Sequence, residues 1–193
     1  MNKRKQILVW DPLVRIFHWL LAICFITAYL VEDERLNLHL LAGSIVLGLI
    51  IFRLVWGMIG GVYSRFADFS CSASELRKHL YALIRLRPTD HLGHTPMGAV
   101  MIIVLLSGLL LLTLSGTVLY GIENSSLSFS PLVANLNPES VIALENVHTL
   151  VADGLVLLVL LHIGGVMVES ILQKQNLIRA MITGYKTVKK EKI

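Results

Sequence analysis

The sequence is short of charge. Asp, Glu, Lys and Arg make up 16% of its 193 residues, where a soluble domain carries about 25%. With 55% hydrophobic residues and a mean hydropathy of +0.71, the composition does not fit a water-soluble globular enzyme. Cysteine is scarce: there are two, which excludes a disulfide scaffold, and Cys24 and Cys71, separated by an apolar run and a loop, form no evident pair. Five prolines and 14 glycines are too few for collagen or a disordered low-complexity chain. No internal repeat or composition break divides the chain, so residues 1–193 read as one domain.

What is abundant is long apolar runs. Four of them cover residues 13–31, 38–59, 97–120 and 141–168. Each is near or above the ~20 residues an α-helix needs to cross about 30 Å of hydrocarbon, and helices are the form that satisfies the backbone there. The first follows Lys3, Arg4 and Lys5 as a signal peptide would, but it has no small-residue cleavage site and Glu32-Asp33-Glu34-Arg35 follows it; it reads as a retained span. The fold class predicted is all-α: an integral membrane four-helix bundle.

The +4 net charge would suit nucleic acid if it were clustered on a soluble face. Instead, sixteen of the 17 Lys and Arg residues flank the first run, lie at or between the second and third, or follow the fourth. Only Arg35 falls in the other two connections, which hold Glu32, Asp33, Glu34, Glu123, Glu139 and Glu145. The positive-inside bias therefore predicts both termini and the second-to-third connection in the cytoplasm. Within that connection residues 72–86 read as a basic amphipathic helix lying in the interface, with Ser72 or Ser74 as cap and Leu76, Leu80, Leu83 and Ile84 on one face. Residues 173–185 are expected to lie in the interface in the same way.

Of seven histidines, four sit inside or at the ends of the apolar runs: His18, His39, His148 and His162. Ionisable groups in a membrane are costly, and four together exceed what incidental hydrogen bonding explains. His148 and His162 are 14 residues apart on one span, roughly 21 Å of rise and about 40° short of four turns, so both rings point the same way from opposite ends. The topology then pairs His39 with His148 at the outer level and His18 with His162 at the inner level. Two imidazoles facing across a bundle core suit axial ligation of haem iron. A structural zinc site wants four ligands in one place, and no Cys and Met complete a copper set; proton relay through separate histidines is the remaining alternative. Without Cys-x-x-Cys-His, haem would be non-covalent, of b type.

Arg53, 14 residues after His39, and Arg15, one turn before His18, lie at the inner level. Both are candidates to hold haem propionates, which are carboxylates that Arg binds bidentately; snorkelling at a cytoplasmic helix end is the alternative for each. Gly43, one turn from His39, and Ala152, one turn from His148, would leave room for a flat macrocycle or simply for close helices. Asp153, an acid deep inside the fourth run, is expected to face the third span, with Thr113, Ser115 or Thr117 as hydrogen-bond partner; a proton-transfer role is the alternative.

These residues carry a resemblance. The segment VWDPLVRIFHW (residues 9–19) is similar to the opening of bacterial cytochrome b561 proteins related to the cytochrome b subunit of nickel-iron hydrogenases. RLVWGMIG (53–60), SRFADF (64–69), LGHTPMGA (92–99) and NLIRAMITGYK (176–186) follow in the family's order and together span nearly the whole chain. The resemblance implies a four-helix membrane bundle with two b haems, whose four ligands map onto His18, His39, His148 and His162. It implies electron transfer, in the bacterial inner membrane, between membrane quinone and a periplasmic partner: a c-type cytochrome, a dehydrogenase or a hydrogenase. A quinone site near the inner haem would use His94 or His91, although Thr95-Pro96-Met97-Gly98 also reads as a plain helix start. Some similar proteins oxidise superoxide and reduce quinone alone; the acidic outer loops favour a basic partner protein over that anion. A third possibility, a structural anchor with histidines as helix glue, predicts no haem at all.

Overall fold

The structure is a computed structural model that describes residues 4–31, 35–69, 72–85, 87, 93–124 and 136–189. Four long helices carry the apolar runs: α1 (Pro12–Leu30), α2 (Leu36–Ile59), α4 (Pro96–Glu123) and α5 (Pro138–Leu172). All four are long and apolar enough to cross a membrane. Each begins within two or three residues of its predicted start. α5 has 35 residues, well beyond the ~20 that a span requires. Large apolar side chains stand out from the helices: Ile16 is 62% exposed, Leu150 71% and Ile171 74%. In water such a surface would be an aggregation hazard; hydrocarbon is the solvent that suits it.

Shorter elements complete the chain. Two 3-10 turns, Val62–Ser64 and Phe66–Phe69, follow α2. α3 (Ala73–Ile84) begins with a capping box in which the Ser72 hydroxyl accepts from the Glu75 amide and the Glu75 carboxylate accepts from the Ser72 amide, so of the two candidate caps it is Ser72 that acts. α6 (Leu177–Thr183) is capped by the Asn176 side chain and ends on Gly184 at φ 89°, a left-handed conformation that favours glycine. The all-α expectation needs one addition. Arg4–Leu8 (β1) and Tyr185–Lys189 (β2) form a two-stranded antiparallel ribbon. Residues 173–185 are thus a turn, a short helix and the start of a strand rather than one interfacial helix. The ribbon joins residues nearly the whole chain apart, so no local pattern announces it.

By its contacts the chain resolves into two compact units. One comprises residues 21–51 and 104–159. Its core is Cys24, Phe25, Ala42, Val46, Ile50, Leu109 and Leu155. Gly108 permits the Leu155 contact, since a methyl there would come within 2.9 Å of Leu155 Cδ2. Cys24 is free; Cys71 lies outside the described residues.

The other unit comprises residues 1–20, 52–103 and 160–193. Val9, Trp10 and Ala180 form its small apolar core, and the Val9 and Trp10 amides donate to the Gly184 carbonyl at 2.8 and 3.1 Å. Asp11 caps α1, accepting from the Val14 amide at 2.9 Å, with Pro12 at the first helical position where its missing N–H costs nothing.

Candidate functional site

The unit of residues 21–51 and 104–159 brings His39 and His148 together, with ring centres 6.2 Å apart. Helix α2 presents His39 in its first turn and α5 presents His148 three turns in. The His39 Nδ1 lies 3.0 Å from the Ala28 carbonyl. A carbonyl only accepts, so that nitrogen carries the proton and Nε2 keeps its lone pair. Ser115 fixes His148 in the same state. Its hydroxyl donates to the Leu112 carbonyl at 2.9 Å, which leaves the oxygen to accept from His148 Nδ1 at 2.9 Å. Both rings therefore offer an unprotonated Nε2, and each is oriented by a hydrogen bond on the far side, the usual arrangement behind a metal-binding imidazole. A cavity of about 140 Å³ adjoins them, lined in part by Gly43, Ser44 and Gly116. A Cβ at Gly43 would meet nothing within 4 Å, whereas one at Gly116 would lie 2.9 Å from His148 Cε1.

The unit of residues 1–20, 52–103 and 160–193 brings His18 and His162 together, with ring centres 6.4 Å apart. His18 also meets Trp19 edge-on at 5.1 Å. His18 Nδ1 and Arg15 Nε, one helical turn apart on α1, are buried without a hydrogen-bond partner among the described residues. Such orphaned polar atoms are rare in folded proteins and mark sites where something else binds.

Both separations fit a shared metal. A metal–imidazole bond of about 2 Å, plus about 1.2 Å from nitrogen to ring centre, puts two trans imidazoles about 6.4 Å apart. Among the described residues no three His, Cys, Asp or Glu converge on one point, so each donor set stays at two histidines. That is the ligand number of a six-coordinate haem and half of what a structural zinc site takes. The residues present fit haem iron.

Arg15 donates to the Ile182 carbonyl at the end of α6, while its Nε is the buried atom left without a partner among the described residues. Arg53 is only 3% exposed; it donates to the Ser64 carbonyl at 3.0 Å and its guanidinium lies 4.6 Å from the centre of the Phe66 ring. Asp11 ties this region together by accepting from Ser64 Oγ and from Trp56 Nε1. Burial works to raise the Asp11 pKa, but hydrogen bonds from Ser64, Val14, Trp56 and Leu13 outweigh it, and the carboxyl titrates below its ordinary value.

His94 packs against Trp10, ring centres 4.5 Å apart. Burial, with Arg53 and Lys186 nearby, pushes its pKa down to about 3, so the imidazole is neutral at physiological pH. Lys186, which the sequence reading passed over, is itself buried. It donates to the Gly93 carbonyl at 3.1 Å and lies over Trp10. Burial lowers its pKa against the opposing charge of Glu169. His91 lies outside the described residues.

One expectation fails. Asp153 does not bond to the third span: Tyr29 on α1 donates to its carboxylate at 2.9 Å. The α4 hydroxyls are engaged elsewhere, Thr113 and Thr117 with carbonyls of their own helix and Ser115 with Leu112 and His148. A helical hydroxyl reaches the carbonyl one turn back without help, whereas a Tyr has the length to reach a carboxylate on another helix. Ser115 is thus a functional residue that the sequence reading named for the wrong partner. Its position 33 residues before His148 gave no sign of the contact.

Comparison with known proteins is consistent with this geometry. The family model for prokaryotic cytochrome b561 matches residues 9–184. The chain is 24% identical, over 223 aligned positions covering 97% of it and 91% of the relative, to a probable Ni/Fe-hydrogenase B-type cytochrome subunit of Rhizobium leguminosarum bv. viciae. No solved structure is similar enough to match. With the model covering most of its length, the chain belongs to the prokaryotic cytochrome b561 family, the multi-pass b-type cytochromes of membrane electron transfer.

Proposed function

We propose that this chain is a di-haem cytochrome that transfers electrons between a periplasmic redox partner and the membrane quinone pool. The observation that carries the proposal is the pair of histidine pairs, at 6.2 and 6.4 Å between ring centres, each matching two imidazoles on one metal. When bound, haem supplies the one-electron chemistry; the chain supplies ligands, orientation and a dry surround.

His39 and His148 would hold the haem nearer the periplasm, locked by Ala28 and Ser115. His18 and His162 would hold the one nearer the cytoplasm, where Arg15 and Arg53 would take its propionates. Two histidines held on one haem iron would leave no coordination site open to substrate, which suits a carrier. The orientation rests on the distribution of Lys and Arg: both termini and α3 on the cytoplasmic side, α3 in the interface, and the acidic connections outside, where they suit a basic c-type cytochrome. The hydrogenase association in the relative's name makes a hydrogenase or another dehydrogenase the other candidate partner. Quinone would dock beside His94, whose neutral imidazole can hydrogen-bond a quinone oxygen.

Proteoliposomes test this. With a short-chain quinol in the bilayer and ferricytochrome c outside, the loaded protein is expected to carry electrons outward, and both His18→Ala and His39→Ala are expected to stop it. Haem-loaded protein that moves no electrons with either a c-type cytochrome or a hydrogenase would overturn the conduit. Quinone reduction by superoxide with no partner present would favour a superoxide:quinone oxidoreductase instead.

A further inference from the structure

Near His94 lies a polar group that electron transfer does not use. The Glu169 carboxylate sits seven residues after His162 on α5, two turns on and on nearly the same face. Its side chain is 15% exposed. Its Oε1 lies 3.3 Å from His79 Nε2 and accepts from Thr95 Oγ1 at 2.8 Å; its Oε2 lies 3.4 Å from Gln173 Nε2. Thr95 is 5% exposed and caps α4, accepting from the Gly98 amide at 3.1 Å, and it is the next residue after His94. His79 is 4% exposed. It occupies the middle of the apolar stripe of α3, between Leu76 and Leu83, where an imidazole is expensive unless it is used.

We infer that Glu169, with His79 and Thr95, is a proton-exchange site that links the quinone position at His94 to the cytoplasm. The inference rests on the quinone reading of His94. Reduction of a quinone takes two electrons, from the redox partner by way of the bound cofactors, and two protons. Quinol oxidation returns both. On that reading the electrons have their route through the haems held by the histidine pairs, but the protons need one past the buried Thr95. A carboxylate between an imidazole and a hydroxyl supplies it: the carboxylate takes a proton from His79 Nε2, and as a carboxylic acid it donates to Thr95 Oγ1, whose own proton, until then given to Glu169, is released to the reduced quinone oxygen. Among the described residues the charged and titratable groups facing Glu169 are His79 from α3 and Lys186 from β2, and Lys186 in turn faces His94. Lys186 on one side and the His79 imidazole on the other let the carboxylate change charge without being stranded. Glu169 does not touch the quinone position; it acts through Thr95 and the His94 loop, as a positioning and proton-exchange residue.

The test is Glu169→Gln in the haem-loaded protein, with decylubiquinol as donor. The expected result is at least a ~10-fold fall in kcat, below the ~100-fold low end for a group that acts on the substrate directly because Glu169 acts through Thr95, with KM and the haem spectrum unchanged and reduction by dithionite at the wild-type rate. The pH profile flattens, and Glu169→Asp or added small weak acids restore turnover. Independently of turnover, the redox-induced infrared difference spectrum loses a carboxyl C=O band. If Glu169→Gln does not fold, His79→Gln and Thr95→Val interrupt the same route and are expected to lower kcat with the same unchanged KM. Full turnover with an unaltered pH profile overturns the relay while leaving the quinone site standing, as does a loss that tracks with raised KM or altered haem. Wild-type haem that decylubiquinol cannot reduce overturns the quinone reading and the relay with it.

Discussion

Replacing Gly116 by alanine is a small change with a large expected effect. The added methyl would lie 2.9 Å from His148 Cε1 and 3.5 Å from its Nδ1. Carbon atoms rest about 3.5–4.0 Å apart, so the ring must retreat by at least about 0.6 Å. Ligand positions in a metal site tolerate about 0.2 Å. The ring is also tethered through Nδ1 to Ser115, so it cannot retreat without loosening that bond. His39 cannot follow, because its own Nδ1 is tied to Ala28. Disturbing such a supporting bond costs about 10–100-fold in metal affinity, whereas the overpacking itself costs about 1–3 kcal/mol of stability. The expected outcome is folded protein that has lost the His39/His148 haem and kept the other, read as a halving of pyridine haemochrome per chain. Gly43→Ala is the comparison, because a methyl there meets no protein atom within 4 Å; it leaves the stability of the haem-free protein unchanged. Two haems per chain with an unchanged spectrum in Gly116→Ala would refute the reasoning.

Three further outcomes follow from the same geometry. Gly57→Ala places a methyl 2.1 Å from the Phe66 ring, which must swing out from beneath Arg53; the thermal midpoint is expected to fall by the equivalent of about 1–3 kcal/mol, and an unchanged midpoint would count against the packing. Asp11 titrates below its ordinary 3.8, so its stabilisation is full above that pH and is lost as pH falls through the lower folded value. Asp11→Asn is therefore expected to melt below wild type at pH 7 and to converge with it under acid conditions, and a constant difference across pH would contradict this. His94 takes its proton near pH 3 when folded and near 6.5 when unfolded, so the unfolded state alone binds that proton in between. Stability falls with pH across that window by about 1.4 kcal/mol per unit for one proton, and His94→Gln is expected to remove that slope from melting curves taken from pH 6.5 downward.

Much of this was legible in the sequence because the membrane simplifies the code. Apolar run length gave four helices to within a few residues, and the period of the α-helix placed His148 and His162 on one face. Such readings need only local spacing. What escaped required contacts between distant segments. The β1–β2 ribbon pairs the two ends of the chain, Tyr29 reached Asp153 from a helix not expected to face it, and Ser115 became the support of His148. Glu169 and His79 left fainter marks: an acid two turns past a ligand candidate, and a histidine centred in an apolar stripe. The arginines were found as residues but not as a network, since Asp11, Ser64 and Phe66 meet Arg53 only through folding.

The central claim is that each histidine pair holds one b haem. A reduced-minus-oxidised visible spectrum of detergent-purified protein, with haem counted as pyridine haemochrome, tests it directly on wild type, His148→Ala and His162→Ala. Two b haems per chain, with each variant losing a different one, is the predicted result. Folded wild-type protein that was made with adequate haem supply and binds none would contradict it.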